Sequence, residues 1–179
     1  MQIAPSTGSR AGGWLKNLAV GRNPRRTVVR AFVLAVVCVV VFKYVLLPVR
    51  VAGISMEPTY SDHSVNFVNR LSFLRHEPRR GDVVGIRMTP PNESSPHIML
   101  LKRVLGLPGE TISFVDGHPR VNGQLLDEPY EKGPSDWRVT PVILGPNEYF
   151  VVGDNRSMPQ LDHTFGRTDR NRIVGKALW

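Results

Sequence analysis

The sequence predicts a mainly β domain that follows one N-terminal membrane-spanning helix. Two observations support this class: a long apolar run near the N-terminus, and, beyond it, short β-type segments separated by turn residues with no amphipathic helix of three turns. The chain has 179 residues and 41% hydrophobic content, enough for one folded domain of ordinary size. Its single cysteine, Cys38, excludes an internal disulfide and a zinc finger.

The positive charge is concentrated at the N-terminus. The net charge is +8, and residues 1–30 hold six basic and no acidic residues. Because the rest of the chain is nearly neutral, we expect no basic face for nucleic acid. Residues 1–26 contain Pro, Ser, Gly and Arg without an apolar period, which predicts a disordered cytoplasmic tail.

An apolar run follows this tail. It is unbroken from Ala31 to Phe42 and continues past Lys43 to Leu47. With the two valines before Arg30 it is long enough to cross a hydrocarbon layer of about 30 Å, so we predict a transmembrane anchor over residues 27–47. The alternatives are a buried core helix and a cleavable signal peptide, but no good A-x-A cleavage site follows the run.

The basic residues before the anchor predict its orientation. Arg22, Arg25, Arg26 and Arg30 all precede the apolar run. The positive-inside rule then places the N-terminus in the cytoplasm and residues 48–179 outside it. We therefore predict a single-pass protein of the cell (inner) membrane with an extracytoplasmic domain.

The extracytoplasmic part is predicted to be built of short strands. The seven predicted strands cover residues 64–68, 82–87, 98–105, 111–115, 120–126, 148–152 and 172–178. Asp116-Gly117 and Asn122-Gly123 are typical of tight turns, since glycine supplies positive φ. Residues 89–97 and 131–137 are predicted to be surface loops.

A serine and a lysine are the candidate catalytic groups. Ser55 alone is more typical of a turn residue, but strand alternation places Lys102 on an apolar face with Leu100 and Val104. Desolvation there would lower the lysine pKa from about 10.4 towards about 8, at a cost on the order of 3 kcal/mol. The neutral amine could then accept a serine proton. Alternation does not decide which face is buried, but Arg103 on the other face cannot act as a base.

Four ordered segments resemble the sequence boxes of bacterial type I signal peptidases. They are Gly53–Thr59, Arg80–Val84, Leu101–Glu110 and Gly153–Arg156, and the intervening Val121–Tyr130 is also similar to this family. The similarity covers the anchor and almost all of residues 50–179. It implies a partly open antiparallel β-barrel with hairpin extensions behind the membrane anchor.

The resemblance also implies an activity. Members of this family are membrane-bound serine endopeptidases that cut after small residues, and by position Ser55 would be the nucleophile and Lys102 the general base. The expected partners are signal peptides of secreted preproteins, membrane lipid and the nearby protein-export machinery. No metal or nucleotide cofactor is expected, because no ligand spacing or phosphate loop is present.

The resemblance also implies roles for residues around the Ser55–Lys102 dyad. The Ser55 backbone N–H would contribute to the oxyanion hole, but Gly53 stands where some family members carry a helpful hydroxyl, so the second donor is unassigned. Met56 is expected beside the site or as a core filler. Asp154 and Arg156 are expected to support the structure as partners of each other.

The last box departs from the family pattern. Pro159 stands where a serine usually bonds the catalytic lysine, and Leu161 and His163 stand where Asp and Arg usually form an ion pair. A hydroxyl from Ser157 or Thr164, or a water molecule, would then have to hold Lys102.

Two histidine pairs permit alternatives at this site. Asp162 could pair with His163 in altered geometry, and either this pair or Asp62-His63 could form a Ser-His-Asp triad with Ser55. Adjacent strand residues point to opposite faces, which disfavours such a triad.

Two further functions stay open from the sequence. One is a specialised peptidase that matures a single substrate, such as a conjugative pilus subunit. The other is a non-catalytic, membrane-tethered β module that binds extended peptides, which the changes at Pro159 and Leu161 would support.

Overall fold

The computed structural model describes residues 24–88, 99–130 and 135–178. Most of the predicted tail, the predicted loop 89–97 and part of the loop 131–137 lie outside the described residues. The chain divides into two compact units, with the boundary between Lys43 and Tyr44.

The first unit is helical. Helix α1 spans Pro24–Val40 and continues as a π-helical turn over Val41–Val45. Its large apolar side chains are exposed, and the segment Arg25–Val45 is long and apolar enough to cross a membrane by length and composition. These features agree with an anchor, while the boundaries 1–26, 27–47 and 48–179 stay predictions.

The second unit contains two antiparallel sheets. The larger has seven strands in the order β1-β2-β11-β3-β4-β9-β10. Their bounds are Leu46–Arg50 for β1, Val65–Asn69 for β2, Val83–Arg87 for β3, Met99–Gly106 for β4, Glu148–Val152 for β9, Gly166–Asp169 for β10 and Ile173–Ala177 for β11. The two ends of this order are different strands, so the sheet is open.

The smaller sheet is an extension with the order β7-β6-β5-β8. Its strands are Thr111–Val115 for β5, His118–Val121 for β6, Gln124–Leu125 for β7 and Val139–Ile143 for β8. All pairings in both sheets are antiparallel. The predicted fold class, mainly β with open antiparallel sheets after an apolar helix, is confirmed.

Most predicted strands occur where the sequence places them. The predictions 111–115 and 148–152 match β5 and β9, and four others lie within one residue of the observed ends. The single strand predicted over 120–126 is wrong, because Asn122 and Gly123 adopt φ of 51° and 82° and turn the chain between β6 and β7. Strands β1, β8 and β10 were not predicted.

Strand β4 runs through the centre of the core. Leu101, Val104 and Leu105 each belong to a different cluster of buried apolar side chains. From Leu101 onward every residue of β4 is buried, so both faces of the strand are covered. Strand alternation alone did not decide which face of β4 is buried. In the structure both faces are, since Lys102 and Arg103 are both buried although they point to opposite faces.

Candidate active site

Ser55 lies in a short 3-10 turn, Ile54–Met56, that precedes β2. Gly53 begins this turn with φ of 96°, a conformation that suits glycine, and its backbone N–H donates to Asp62 Oδ1. Met56 is 1% exposed and packs in the core with Val49 and Leu101. The buried Met56 therefore fixes a turn on which Ser55 stays half-buried and accessible.

Lys102 lies in β4, opposite Val84 of β3, and is 3% exposed. Its Nζ lies 2.7 Å from Ser55 Oγ. Burial lowers the pKa of Lys102 to about 8, and the negative charge of Asp154 partly opposes this. A substantial fraction of neutral amine is therefore available at mildly alkaline pH, within hydrogen-bond distance of the hydroxyl.

A small cavity adjoins Ser55. Its volume is about 20 Å³, and its walls come from the end of β1 and the residues after it, and from the start of β4. The lining residues include Val51, Ala52, Met56 and Leu101. A cavity of this size could hold a methyl group rather than a large side chain.

A sequence profile described as signal peptidase, peptidase S26, matches residues 25–179, which is most of the chain. The chain belongs to the signal peptidase family. The profile includes both Ser55 and Lys102 within its matched range.

Curated members of the family show similar sequences. The chain is 32% identical to the probable signal peptidase I-2 of Synechocystis and 34% identical to signal peptidase I of Leptolyngbya laminosa, in each case over 69% of its length. It spans 57% and 63% of the length of these two relatives. Signal peptidase I T of Bacillus subtilis is 34% identical over 82% of the chain and 79% of its own length.

A crystal structure of a signal peptidase I from Enterococcus faecalis is also similar. It has 25% sequence identity and a TM-score of 0.43, and the match covers 56% of this chain and 96% of the other.

Two charged residues of this signal peptidase family member have partners other than those expected. Asp154 is fully buried and pairs with Arg103 rather than with Arg156. Arg156 pairs instead with Glu128 at 2.7 Å, and both side chains are buried. The prediction that Asp154 and Arg156 bind each other is wrong, because the neighbouring strand and the segment before Tyr130 supply closer opposite charges.

The two hydroxyls predicted to bind Lys102, those of Ser157 and Thr164, do not form a hydrogen bond with it. Ser157 Oγ donates to Asn155 Oδ1 at 2.6 Å, and Thr164 is exposed. Pro159 is exposed and Leu161 is 98% exposed. Among the described residues, Lys102 Nζ forms a hydrogen bond only with Ser55 Oγ.

The predicted histidine pairs also fail to form a triad. His163 is buried and packs edge-on against Trp137, with ring centroids 4.8 Å apart, and neither ring nitrogen makes a hydrogen bond to the described residues. Asp162 therefore does not orient it. Asp62 Oδ2 lies 3.4 Å from Nε2 of the exposed His63, and Asp62 Oδ1 accepts a hydrogen bond from the backbone N–H of Gly53. The Asp62–His63 pair is therefore a surface contact beside the turn.

Sequence reasoning missed two residues that support the site. Thr59 donates its hydroxyl to Asp154 Oδ2 at 2.5 Å across 95 residues of sequence. Glu128 is the buried partner of Arg156. Neither contact follows from local periodicity, although both residues lie in segments that resemble the family.

Proposed function

We propose that the protein is a serine endopeptidase that removes N-terminal signal peptides from exported preproteins through a Ser55–Lys102 dyad. The observation that carries this proposal is the 2.7 Å separation of Ser55 Oγ and Lys102 Nζ, with the lysine buried. Family membership supports the reaction class.

The dyad accounts for acylation. Neutral Lys102 accepts the Ser55 hydroxyl proton while Oγ attacks the carbonyl carbon of the scissile peptide bond. The carbonyl electron pair moves to the oxygen, forming a tetrahedral oxyanion. When this intermediate collapses, the carbon–nitrogen bond breaks, and the Lys102 ammonium returns its proton to the leaving amine. The product is an ester between Ser55 and the signal peptide.

Deacylation repeats these steps with water. Lys102 is again neutral and accepts a proton from a water molecule that attacks the ester carbonyl. Collapse of the second tetrahedral intermediate returns that proton to Ser55 Oγ and releases the carboxyl terminus of the signal peptide. One buried amine thus serves both half-reactions.

The turn that carries Ser55 supports a partial oxyanion hole. Backbone N–H groups at the start of a helical turn have no partner within that turn, and Ser55 occupies the second position of Ile54–Met56. The N–H of Gly53 is used by Asp62. The Ser55 N–H is therefore the donor that we assign to the developing oxyanion.

The cavities support binding of an extended peptide that has small side chains near the cut. A second cavity of about 580 Å³ shares Val49, Arg50 and Met99 with the small one beside Ser55. Strand β1 ends the larger sheet and offers an edge to which a peptide can add as a strand. The 20 Å³ cavity would then select the small residue before the cleaved bond.

The apolar helix supports a membrane location. Arg25, Arg26 and Arg30 lie in or near its first turns, without an acidic residue in the first turn. By the positive-inside rule we propose one span of the cell (inner) membrane, with residues 1–26 in the cytoplasm and residues 48–179 outside. Membrane lipid and the protein-export machinery are the partners proposed for this arrangement.

Nothing in the comparisons favours the single-substrate peptidase or the non-catalytic module.

The proposal is tested by cleavage of a preprotein with the full chain in detergent. Ser55→Ala and Lys102→Ala should each reduce kcat/KM by at least about 10³-fold, because either change removes a member of the dyad. Ser61→Ala, at an exposed serine, and Lys176→Ala, at a lysine that pairs with Asp82, are matched controls that should stay active. Undiminished cleavage by either dyad variant would contradict the proposal.

A further inference from the structure

His163 is a buried titratable group that the proposed dyad does not use. It is 6% exposed, and neither Nδ1 nor Nε2 makes a hydrogen bond within the described part of the chain. Buried polar atoms are usually satisfied, so two unpartnered nitrogens on one ring call for an explanation. The ring is held in place by apolar contacts, edge-on to Trp137 and with its centroid 6.4 Å from that of Phe165.

The ring lies directly behind the nucleophile's turn. A Cβ added to Gly153 would come within 2.4 Å of His163 Cε1, 2.7 Å of its Nε2 and 2.1 Å of the Ser55 carbonyl oxygen. The imidazole edge and the Ser55 backbone therefore converge on the same face of Gly153. Because glycine has no side chain there, His163 can approach the turn as closely as it does.

Lys102 needs a second partner. Its Nζ bonds only to Ser55 Oγ among the described residues, and a neutral amine has two hydrogens and one lone pair. When the lone pair takes the serine proton, at least one N–H needs an acceptor to keep the amine directed at Oγ. The nearby hydroxyl candidates do not serve, since Ser157 bonds to Asn155 and Thr164 is exposed.

The electrostatics agree with a neutral imidazole near this amine. Burial, together with the positive charges of Lys102 and Arg156, lowers the pKa of His163 to about 4. The backbone of Thr164 and that of Ser55 lie close enough to the ring to raise its pKa by a smaller amount, although neither contact has the distance and angle of a hydrogen bond. At neutral and alkaline pH the ring therefore keeps a lone pair as an acceptor.

We propose that His163 is a positioning residue for the dyad: its neutral imidazole accepts a hydrogen bond from one bridging water molecule, which accepts a hydrogen bond from Lys102 Nζ, and so keeps the amine directed at Ser55. The inference rests on the proposed peptidase function. It accounts for two observations together: the His163 ring nitrogens have no hydrogen-bond partner among the described residues, and Lys102 Nζ has one. The imidazole does not react, because it exchanges no proton with the substrate.

Two substitutions separate this role from packing. His163→Phe keeps a planar ring against Trp137 and removes the acceptor, whereas His163→Gln keeps hydrogen-bonding groups and loses the ring. We expect His163→Phe to lower kcat roughly tenfold with little change in KM, and His163→Gln to retain most of the activity, since a hydrogen bond to a charged or reacting group contributes about this factor. Thermal unfolding of both variants reports the packing contribution separately.

The pKa of Lys102 gives a readout that does not require peptide cleavage. An acceptor favours the ammonium form, so its loss should lower the pKa of Lys102 by about one unit in His163→Phe and by less in His163→Gln. A ¹⁵N NMR titration of the full chain in detergent measures this shift even if no peptide is cut. A wild-type lysine pKa and kcat in His163→Phe, or equal changes in both variants, would overturn the inference, whereas retained cleavage by Ser55→Ala would instead overturn the proposed function.

Discussion

Arg103 and Asp154 form a buried ion pair that joins the segments carrying the two candidate catalytic residues. Arg103 Nε donates to Asp154 Oδ1 at 2.7 Å, and its Nη2 donates to Oδ2. Thr59, four residues after Ser55, donates to the same carboxylate. Since Arg103 follows Lys102 in β4, one carboxylate links the strand of the lysine to the segment of the serine.

Removing this carboxylate should strongly destabilise the fold. Asp154→Asn leaves the Arg103 guanidinium buried without its counter-ion, and breaking such a pair costs about 3–5 kcal/mol of unfolding free energy. Denaturant unfolding of the full chain in detergent measures the change. Asp116→Asn is the matched control, because Asp116 pairs with Arg138 where both side chains are largely exposed, at 72% and 81%. It should cost less than about 1 kcal/mol. Equal effects of the two substitutions would contradict the assigned role of the buried pair.

Lys102 should lower stability at neutral pH. Its folded pKa is about 8, below the usual 10.5, so the folded chain holds the lysine proton less tightly than the unfolded chain does. Below about pH 8 both states are protonated and the folded state carries the full penalty, about 3 kcal/mol for a shift of this size. Between pH 8 and 10.5 the unfolded chain binds more proton, so this contribution to stability rises with pH.

Lys102→Met isolates this effect. The variant should be more stable than the wild type by about 3 kcal/mol at pH 7, and the difference should shrink as the pH approaches 10.5. Unfolding free energies of both chains at several pH values supply the comparison. A Met variant that is less stable at pH 7, or a difference independent of pH, would show that the amine is not desolvated as the structure indicates.

Gly153 should be intolerant of a side chain. In Gly153→Ala the new Cβ would meet the Ser55 carbonyl oxygen at 2.1 Å, so the nucleophile's turn must move. A displacement of about 1 Å at a reacting group can cost about 10²-fold in rate, and we expect a loss of this order in kcat. Gly145→Ala, whose Cβ would lie 3.3 Å from a flexible Glu148 carboxylate, should keep nearly normal activity. Similar activity in both variants would argue against the close contact at Gly153.

Much of the fold could be predicted because its signals are local. Strands β5 and β9 end at turn residues, and the apolar run before Leu47 has the length of a membrane span. Strand β1 was missed because its first residues, Leu46 and Leu47, continue the apolar composition of the helix, so only pairing with β2 distinguishes them.

The candidate site could be predicted only in part. The resemblance selects Ser55 and Lys102, and strand alternation with the chemistry of amines supports the lysine. The partners of Asp154 and Arg156 could not be assigned, since they depend on which strands and loops meet across the fold. The position of His163 behind Gly153 likewise depends on tertiary packing, which no local spacing encodes.

The pH dependence of Ser55 acylation tests the dyad most directly. Mass spectrometry of the full chain in detergent with a serine-reactive inhibitor identifies the modified residue and gives the rate at each pH. If neutral Lys102 is the base, the rate should rise about tenfold per pH unit below about 8, level off above it, and fall to background in Lys102→Met. Modification of another residue, or an unchanged acylation rate in Lys102→Met, would contradict the account.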